Sequence, residues 1–315
     1  GIILGAIIIC IGGVIDDIWE VSATYQLIFH IFAALSVIVF SGISITEVNL
    51  FQTTINLNWV SILIEIGSFG YNLVFPGDLI TLLWIVGMIN IINWVGGIDA
   101  LNGSITTIAL FTILLFAISN GNIAIAGLIA VHLGGVLGVL PFNYYPSKIF
   151  YGSAGDYLNG FLLAIFAIFA GTRWTATILL LAMPIIDALI VIYRRFKEHP
   201  ELFRNPSKLF SISDKNHLHH RLLAVGYTPK MVTLIEMSMM VSISAIALFF
   251  SNLRQDVLAV IAGGSILLTF FTAVFLLKQR KTKVSKNIDD EEVVEPVINV
   301  VYKDSEEEEK EKFVY

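Results

Sequence analysis

No Lys or Arg occurs before Lys148, and long apolar runs fill most of that stretch. Such runs cannot stay in water and must be buried in hydrocarbon, where each crossing takes roughly 17–25 apolar residues. The whole chain of 315 residues is 56% hydrophobic and 14% charged, against about 25% charged residues in soluble domains. The class that follows is an all-α polytopic membrane protein with about nine transmembrane helices, its site formed by loops on the cytoplasmic side.

The expected crossings lie near 1–15, 25–43, 78–95, 103–118, 122–141, 157–171, 174–193, 231–250 and 256–277. Residues 1–278 then form the transmembrane domain. The first run is short, starts mid-hydrophobic and lacks a basic leader, as a fragment missing its N-terminal part would. Residues 44–77, free of Lys and Arg and rich in Thr, Asn and β-branched side chains, read as a short hairpin or irregular loop outside the bilayer. Residues 279–315 carry the acidic run DDEE…SEEEEKEK and read as a charged, disordered cytoplasmic tail. Cys10 is the single cysteine, which excludes a disulfide framework and a Cys-based metal site.

Basic residues set the orientation. The 194–230 loop holds Arg194, Arg195, Lys197, Arg204, Lys208, Lys215, Arg221 and Lys230, and Lys278, Arg280, Lys281, Lys283 and Lys286 follow the last crossing. Alternating crossings put these and Lys148 on one side, leaving Arg173 and Arg254 on the other. That side is read as cytoplasmic, in the plasma membrane. It also collects GGVIDDIWE, NIINWVGGIDALNG, FNYYPSKIFYGSAGD and DKNHLHHRLL. Carboxylates near bilayer depth are costly and mark function by default. Four polar clusters on one face therefore read as one composite site. Transporters tend to show internal repeats and helices broken at the midplane. No such repeat is evident here, and the polar residues sit at span ends, which disfavours a transporter or channel.

These segments resemble the polyprenyl-phosphate N-acetylhexosamine-1-phosphate transferases, membrane enzymes grouped as glycosyltransferase family 4. The resemblance covers residues 1 to about 250. It rests on Asp16-Asp17 after a Gly-rich span end and on Asn90, Asn93 and Asp99 in an N-x-x-N…D run. Phe142-Asn143, ten residues before a Gly-rich turn, and the H-x-H-H-R of His217, His219, His220 and Arg221 complete it. The HLHHRLL form is similar to the undecaprenyl-phosphate N-acetylglucosamine-1-phosphate branch. The resemblance implies transfer of a sugar-1-phosphate from a UDP-N-acetylhexosamine to a polyprenyl phosphate, with release of UMP, for envelope polysaccharide synthesis. It further implies Mg²⁺, with Mn²⁺ able to substitute. Asp16, Asp17 and Asp99 would be catalytic, and Asn93 and Asp156 would bind metal. Asn90, Asn143, Lys215, His217, His219, His220 and Arg221 would bind substrate. A homodimer is compatible with this reading, and no nucleic-acid partner is expected.

Three imidazoles within four positions could serve zinc, a proton relay or a phosphate grip. Zinc takes four ligands and favours histidines with three to five residues between them, whereas at most two residues separate any pair of His217, His219 and His220. Beside Lys215 and Arg221, a diphosphate grip suits them better. His30 and His132 lie within spans and read as structural, and Asp187 reads as the partner of Arg194. The pattern also departs from the family's. Gly96 stands where the family has Asp, Ser153 and Asp156 exchange the Asp and Ser of its Gly-Asp-x-Gly-Ser turn, and Gln26 replaces a usual Lys. Such a site is either rearranged or catalytically impaired, the latter making the protein a binding or scaffold partner in envelope assembly.

Overall fold

A computed structural model describes residues 1–289 except 51–52, 68, 171–173, 205–208, 210–215 and 253–255. Lys215, Arg173, Arg254 and the acidic sequence beyond 289 therefore lie outside the described residues. Residues Gly1–Phe270 form one compact unit, and a second begins at Phe271.

Among the described residues, eight helices are long and apolar enough to cross a membrane. They are α1 (Ile2–Trp19), α2 (Ala23–Ser41), α3 (Gly77–Val95), α4 (Leu101–Ser119), α5 (Ile123–Asn143), α6 (Gly152–Phe169), α10 (Pro229–Asn252) and α11 (Asp256–Asp289). At 1.5 Å per residue, a helix of 18 residues such as α1 spans about 27 Å, close to the hydrocarbon thickness. α1 turns Ile3, Ile7, Ile11, Val14 and Ile18 outward at three- and four-residue spacing, the lipid-facing stripe of a helix. Its opposite face buries Gly5, Ile9, Gly12 and Asp16.

α6 packs between α1 and α3. The backbones come close because both crossings place glycine at the contact: a Cβ on Gly13 would overlap the Ala154 backbone, and one on Gly160 would lie 2.6 Å from Ile89 Cα. Without a hydrophobic force between helices in lipid, such close approach supplies the packing.

The seventh crossing is broken. α7 (Trp174–Leu180) and α8 (Ala182–Glu198) meet at 70°, where one straight run was expected. Pro184 is the cause: it has no N–H for the Leu180 carbonyl four residues back, and its ring clashes there. The pair still traverses the bundle. Before it, Ala170 accepts a hydrogen bond from Asn120 at the end carrying the α4–α5 turn. Beyond it, α9 (Leu218–Val225) places His219 against Gly97 at the other end.

Residues 44–77 form two antiparallel hairpins, β1 (Glu47–Leu50) with β2 (Thr53–Asn56) and β3 (Asn58–Ile66) with β4 (Phe69–Pro76). They join the ends of α2 and α3 remote from the polar clusters.

Candidate functional site

The C-terminal ends of α1, α3 and α5 meet the N-terminal ends of α4 and α6, which is where the sequence concentrates its polar motifs. Asp16 and Asp17, adjacent on α1, face different surroundings. Asp16 is buried and accepts hydrogen bonds from Gln26 Nε2 (2.8 Å), Ser153 Oγ (2.7 Å) and Tyr157 OH (2.9 Å). It ties α1, α2 and α6 together, with a neutral amide at Gln26 where the resemblance has a cation. Asp17 is exposed and accepts the N–H groups of Ser153 (2.6 Å) and Ala154 (3.2 Å), two of the unpaired donors at the start of α6. The carboxylate lies against Gly152, whose φ of +62° suits glycine and whose missing Cβ would come within 2.6 Å of it.

Asp17 lines a cavity of about 310 Å³ together with Asn93, Gly96, Asp99, Ser153 and Asp156. That volume is at the small end of ligand sites. Asp156, on the second turn of α6, is 9% exposed, and its Oδ1 has no hydrogen-bond partner. A Cβ on Gly96 would overlap its Oδ2. Asp99 accepts the Ser147 N–H (3.0 Å). Tyr151, another wall, donates to the Val136 carbonyl (2.9 Å); burial, and then the nearby Asp156 charge, push its phenol up to about 12, so it stays neutral.

Two residues expected to bind substrate are occupied otherwise. Asn143 lines the cavity, but its Oδ1 accepts the Ala100 N–H (3.0 Å) and its Nδ2 donates to the Ile149 carbonyl (2.9 Å), so it braces two loops. Asn90 is absent from the cavity lining; its amide donates to the Val86 carbonyl (2.8 Å) and faces His30 Nδ1 (3.2 Å) inside the bundle.

The histidine motif begins α9 and stands beside the cavity wall. Asp187 of α8 accepts from His217 Nδ1 (2.8 Å) and from the Leu218 N–H (2.8 Å), anchoring the helix N-terminus. Its expected partner, Arg194, instead donates to Asn216 Oδ1 (2.7 Å). His217 stacks on His219 with parallel rings 5.7 Å apart, and His219 lies 4.3 Å from His220. Arg221 Nε donates to the Asn216 carbonyl (2.6 Å). His219 presses Nε2 against Gly97, at a distance a side chain there would forbid. Burial, followed by His220 and His217, lowers it to about 3, so its imidazole is neutral at physiological pH. No cluster of three or more His, Cys, Asp or Glu able to hold a metal occurs among the described residues.

Sequence reasoning missed Tyr157 and Asn102. Asn102 donates to the Ile92 carbonyl (2.8 Å) and accepts from Asn159 (3.0 Å), joining α4 to α3 and α6. Its place three residues after Asp99 was the available signal.

The helices and this cavity define a polytopic membrane protein with a small acidic cavity at one end of its bundle. Residues 1–171 match the model of glycosyl transferase family 4, and the chain belongs to that family. It is 32% identical over 256 residues to a probable undecaprenyl-phosphate N-acetylglucosaminyl 1-phosphate transferase of Bacillus subtilis, covering 78% of this chain and 65% of that protein. A decaprenyl-phosphate N-acetylglucosaminephosphotransferase of Mycobacterium leprae is 29% identical over 89% of this chain and 71% of its own length. A phospho-N-acetylmuramoyl-pentapeptide-transferase of Streptococcus thermophilus is 29% identical over 48% of this chain and 44% of its own. The chain thus spans just under two thirds of the Bacillus relative's length.

Proposed function

We propose that the protein transfers an N-acetylhexosamine-1-phosphate from a UDP-sugar to a polyprenyl phosphate in the plasma membrane, at a site facing the cytoplasm. A lipid phosphate oxygen bonds to the β-phosphorus of the UDP-sugar, and the bond from that phosphorus to the bridging oxygen breaks. UMP leaves with that oxygen, and polyprenyl-diphospho-sugar stays in the bilayer. The observation that carries the reading is the meeting of Asp17, Asn93, Asp99 and Asp156 at one small cavity at a bundle end. The activities for which the Bacillus and Mycobacterium relatives are named agree with it.

The donors present fit a Mg²⁺ ion, with Mn²⁺ as substitute. Asp156 Oδ1 is a buried oxygen without a partner, and Mg²⁺ is commonly held by one or two carboxylates, waters and substrate phosphates rather than by a full protein cage. When bound, the ion would neutralise diphosphate charge. Asp156 and Asp17 would hold it, with Asn93 beside them. Asp17, fixed by two backbone N–H groups, orients the lipid phosphate, which is already largely ionised and needs little general-base help. Asp16 positions Ser153 and Tyr157. His219, His220 and Arg221 form the neighbouring wall for the diphosphate.

One observation favours a second reading, a catalytically impaired scaffold. Ser153 stands where the resemblance has a carboxylate, and its hydroxyl is engaged by Asp16. Purified protein given polyprenyl phosphate, Mg²⁺ and a panel of UDP-sugars separates the two. UMP release with one of them is expected; intact UDP-sugar binding without UMP release would establish the scaffold.

A further inference from the structure

We infer that Gly96 and Asp156 are one functional unit. Glycine at 96 leaves the volume into which α6 delivers the Asp156 carboxylate, and that carboxylate is a divalent-cation ligand of the cavity; the inference rests on the transferase reading only for what the cation then serves.

Gly96 is not needed for its backbone conformation. Its φ of −67° and ψ of 9° are open to any residue, and it lies on the exposed side of the cavity wall. A Cβ there would overlap Asp156 Oδ2, so any side chain at 96 requires the Asp156 carboxylate to move. Asp156 is in turn poorly provided for. It is nine-tenths buried, its Oδ1 has no partner, and Asp17 lines the same cavity. A buried carboxylate without a partner is costly, and a second carboxylate nearby makes it more so. A cation between them removes both penalties, and Asn93 and Asp99 offer further oxygens around the same space. Ser153, by contrast, turns its hydroxyl away to Asp16. The site therefore keeps a carboxylate at the 96 position in space while the chain carries it on a different helix.

Purified full-length protein is titrated with Mn²⁺ by electron paramagnetic resonance, alone and with UMP, and its thermal unfolding is followed with and without Mg²⁺. Asp156→Asn and Asp156→Ser should each weaken Mn²⁺ binding about tenfold or more. Gly96→Ala should weaken it comparably although it removes no ligand, because the added methyl expels the carboxylate. Gly96→Asp alone should not bind normally, whereas Gly96→Asp combined with Asp156→Ser should regain most of the affinity. Without metal, Asp156→Asn should unfold at the wild-type temperature or above it, and it should lose the Mg²⁺-dependent rise seen in wild type. Wild-type Mn²⁺ affinity in Asp156→Asn would overturn the ligand role. Wild-type affinity in Gly96→Ala, or no recovery in the double variant, would overturn the coupling. Neither readout needs turnover. Metal binding that follows this pattern in a protein without transferase activity would sustain the inference and remove the proposed function; normal turnover in Asp156→Asn would do the reverse.

Discussion

Asp16 accepts hydrogen bonds from Gln26, Ser153 and Tyr157, so asparagine there would turn an N–H toward one of these donors. Asp16→Asn should cost about 1–3 kcal/mol and lower Tm and turnover together. Asparagine at 17 still accepts from the first N–H groups of α6, as it does at helix N-caps. Asp17→Asn should therefore unfold near the wild-type temperature while turnover drops about 10²–10³-fold. Thermal melts beside UMP-release assays check both, and equal Tm losses would void the division of labour. His219 gives a pH signature. Folded, it takes a proton only near pH 3, against about 6.5 in the unfolded chain. Between those values the unfolded chain binds more protons, so lowering pH through this window costs stability. His219→Asn should flatten the fall in Tm from pH 6.5 to 4; an unchanged slope would assign the effect elsewhere. The residues Asp16, Asp17, Asn93, Asp99 and Asp156 were visible in the sequence by type and spacing. Their contacts were not, because the atoms that make them arrive from far along the chain: Ser153 reaches Asp17 across 136 positions.

A short helix such as α9, eight residues long, has little stability of its own and depends on its anchor. Asp187 supplies that anchor twice, at His217 and at the Leu218 N–H, where a negative charge also suits the helix dipole. Asp187→Asn should loosen α9, speed hydrogen exchange of the Leu218 amide and lower kcat/KM about 10–100-fold, the usual cost of losing an orienting partner. Unchanged exchange at Leu218 would show that α9 is held by other contacts. The elements themselves were largely legible, since apolar run length and the basic loops mark helices and their ends. The hairpin at 44–77 was foreseen in kind, though it proved double. The break at Leu181 was missed, although Pro184 announced it, because apolar content alone reads straight through a proline. Asp187 was given to Arg194 by nearness in sequence, whereas the broken helix turns it toward the start of α9.

At the scale of the whole chain, the two ends of the bundle differ in chemistry. The cavity, Lys148, α9 and Lys230 share one end, where Thr233 reaches the Asp99 carbonyl, and the hairpins and the α4–α5 turn share the other. The basic residues are the ground for proposing that the first end faces the cytoplasm. Whether α7 and α8 make a full crossing decides on which side Lys230 lies. A re-entrant pair would return it to the hairpin side, where Thr233 could not meet Asp99. Cys10 is the only cysteine, so Cys10→Ser gives a background for single probes at Thr54, Asn120 and Lys230, all exposed. With a membrane-impermeant maleimide on right-side-out vesicles, Thr54→Cys and Asn120→Cys should label at once, and Lys230→Cys only after permeabilisation. Outside labelling at residue 230 together with 54 would make the broken pair a re-entrant loop. Labelling of 54 only from within would invert the molecule and place the cavity away from the cytosolic nucleotide sugar, which the proposed reaction could not survive.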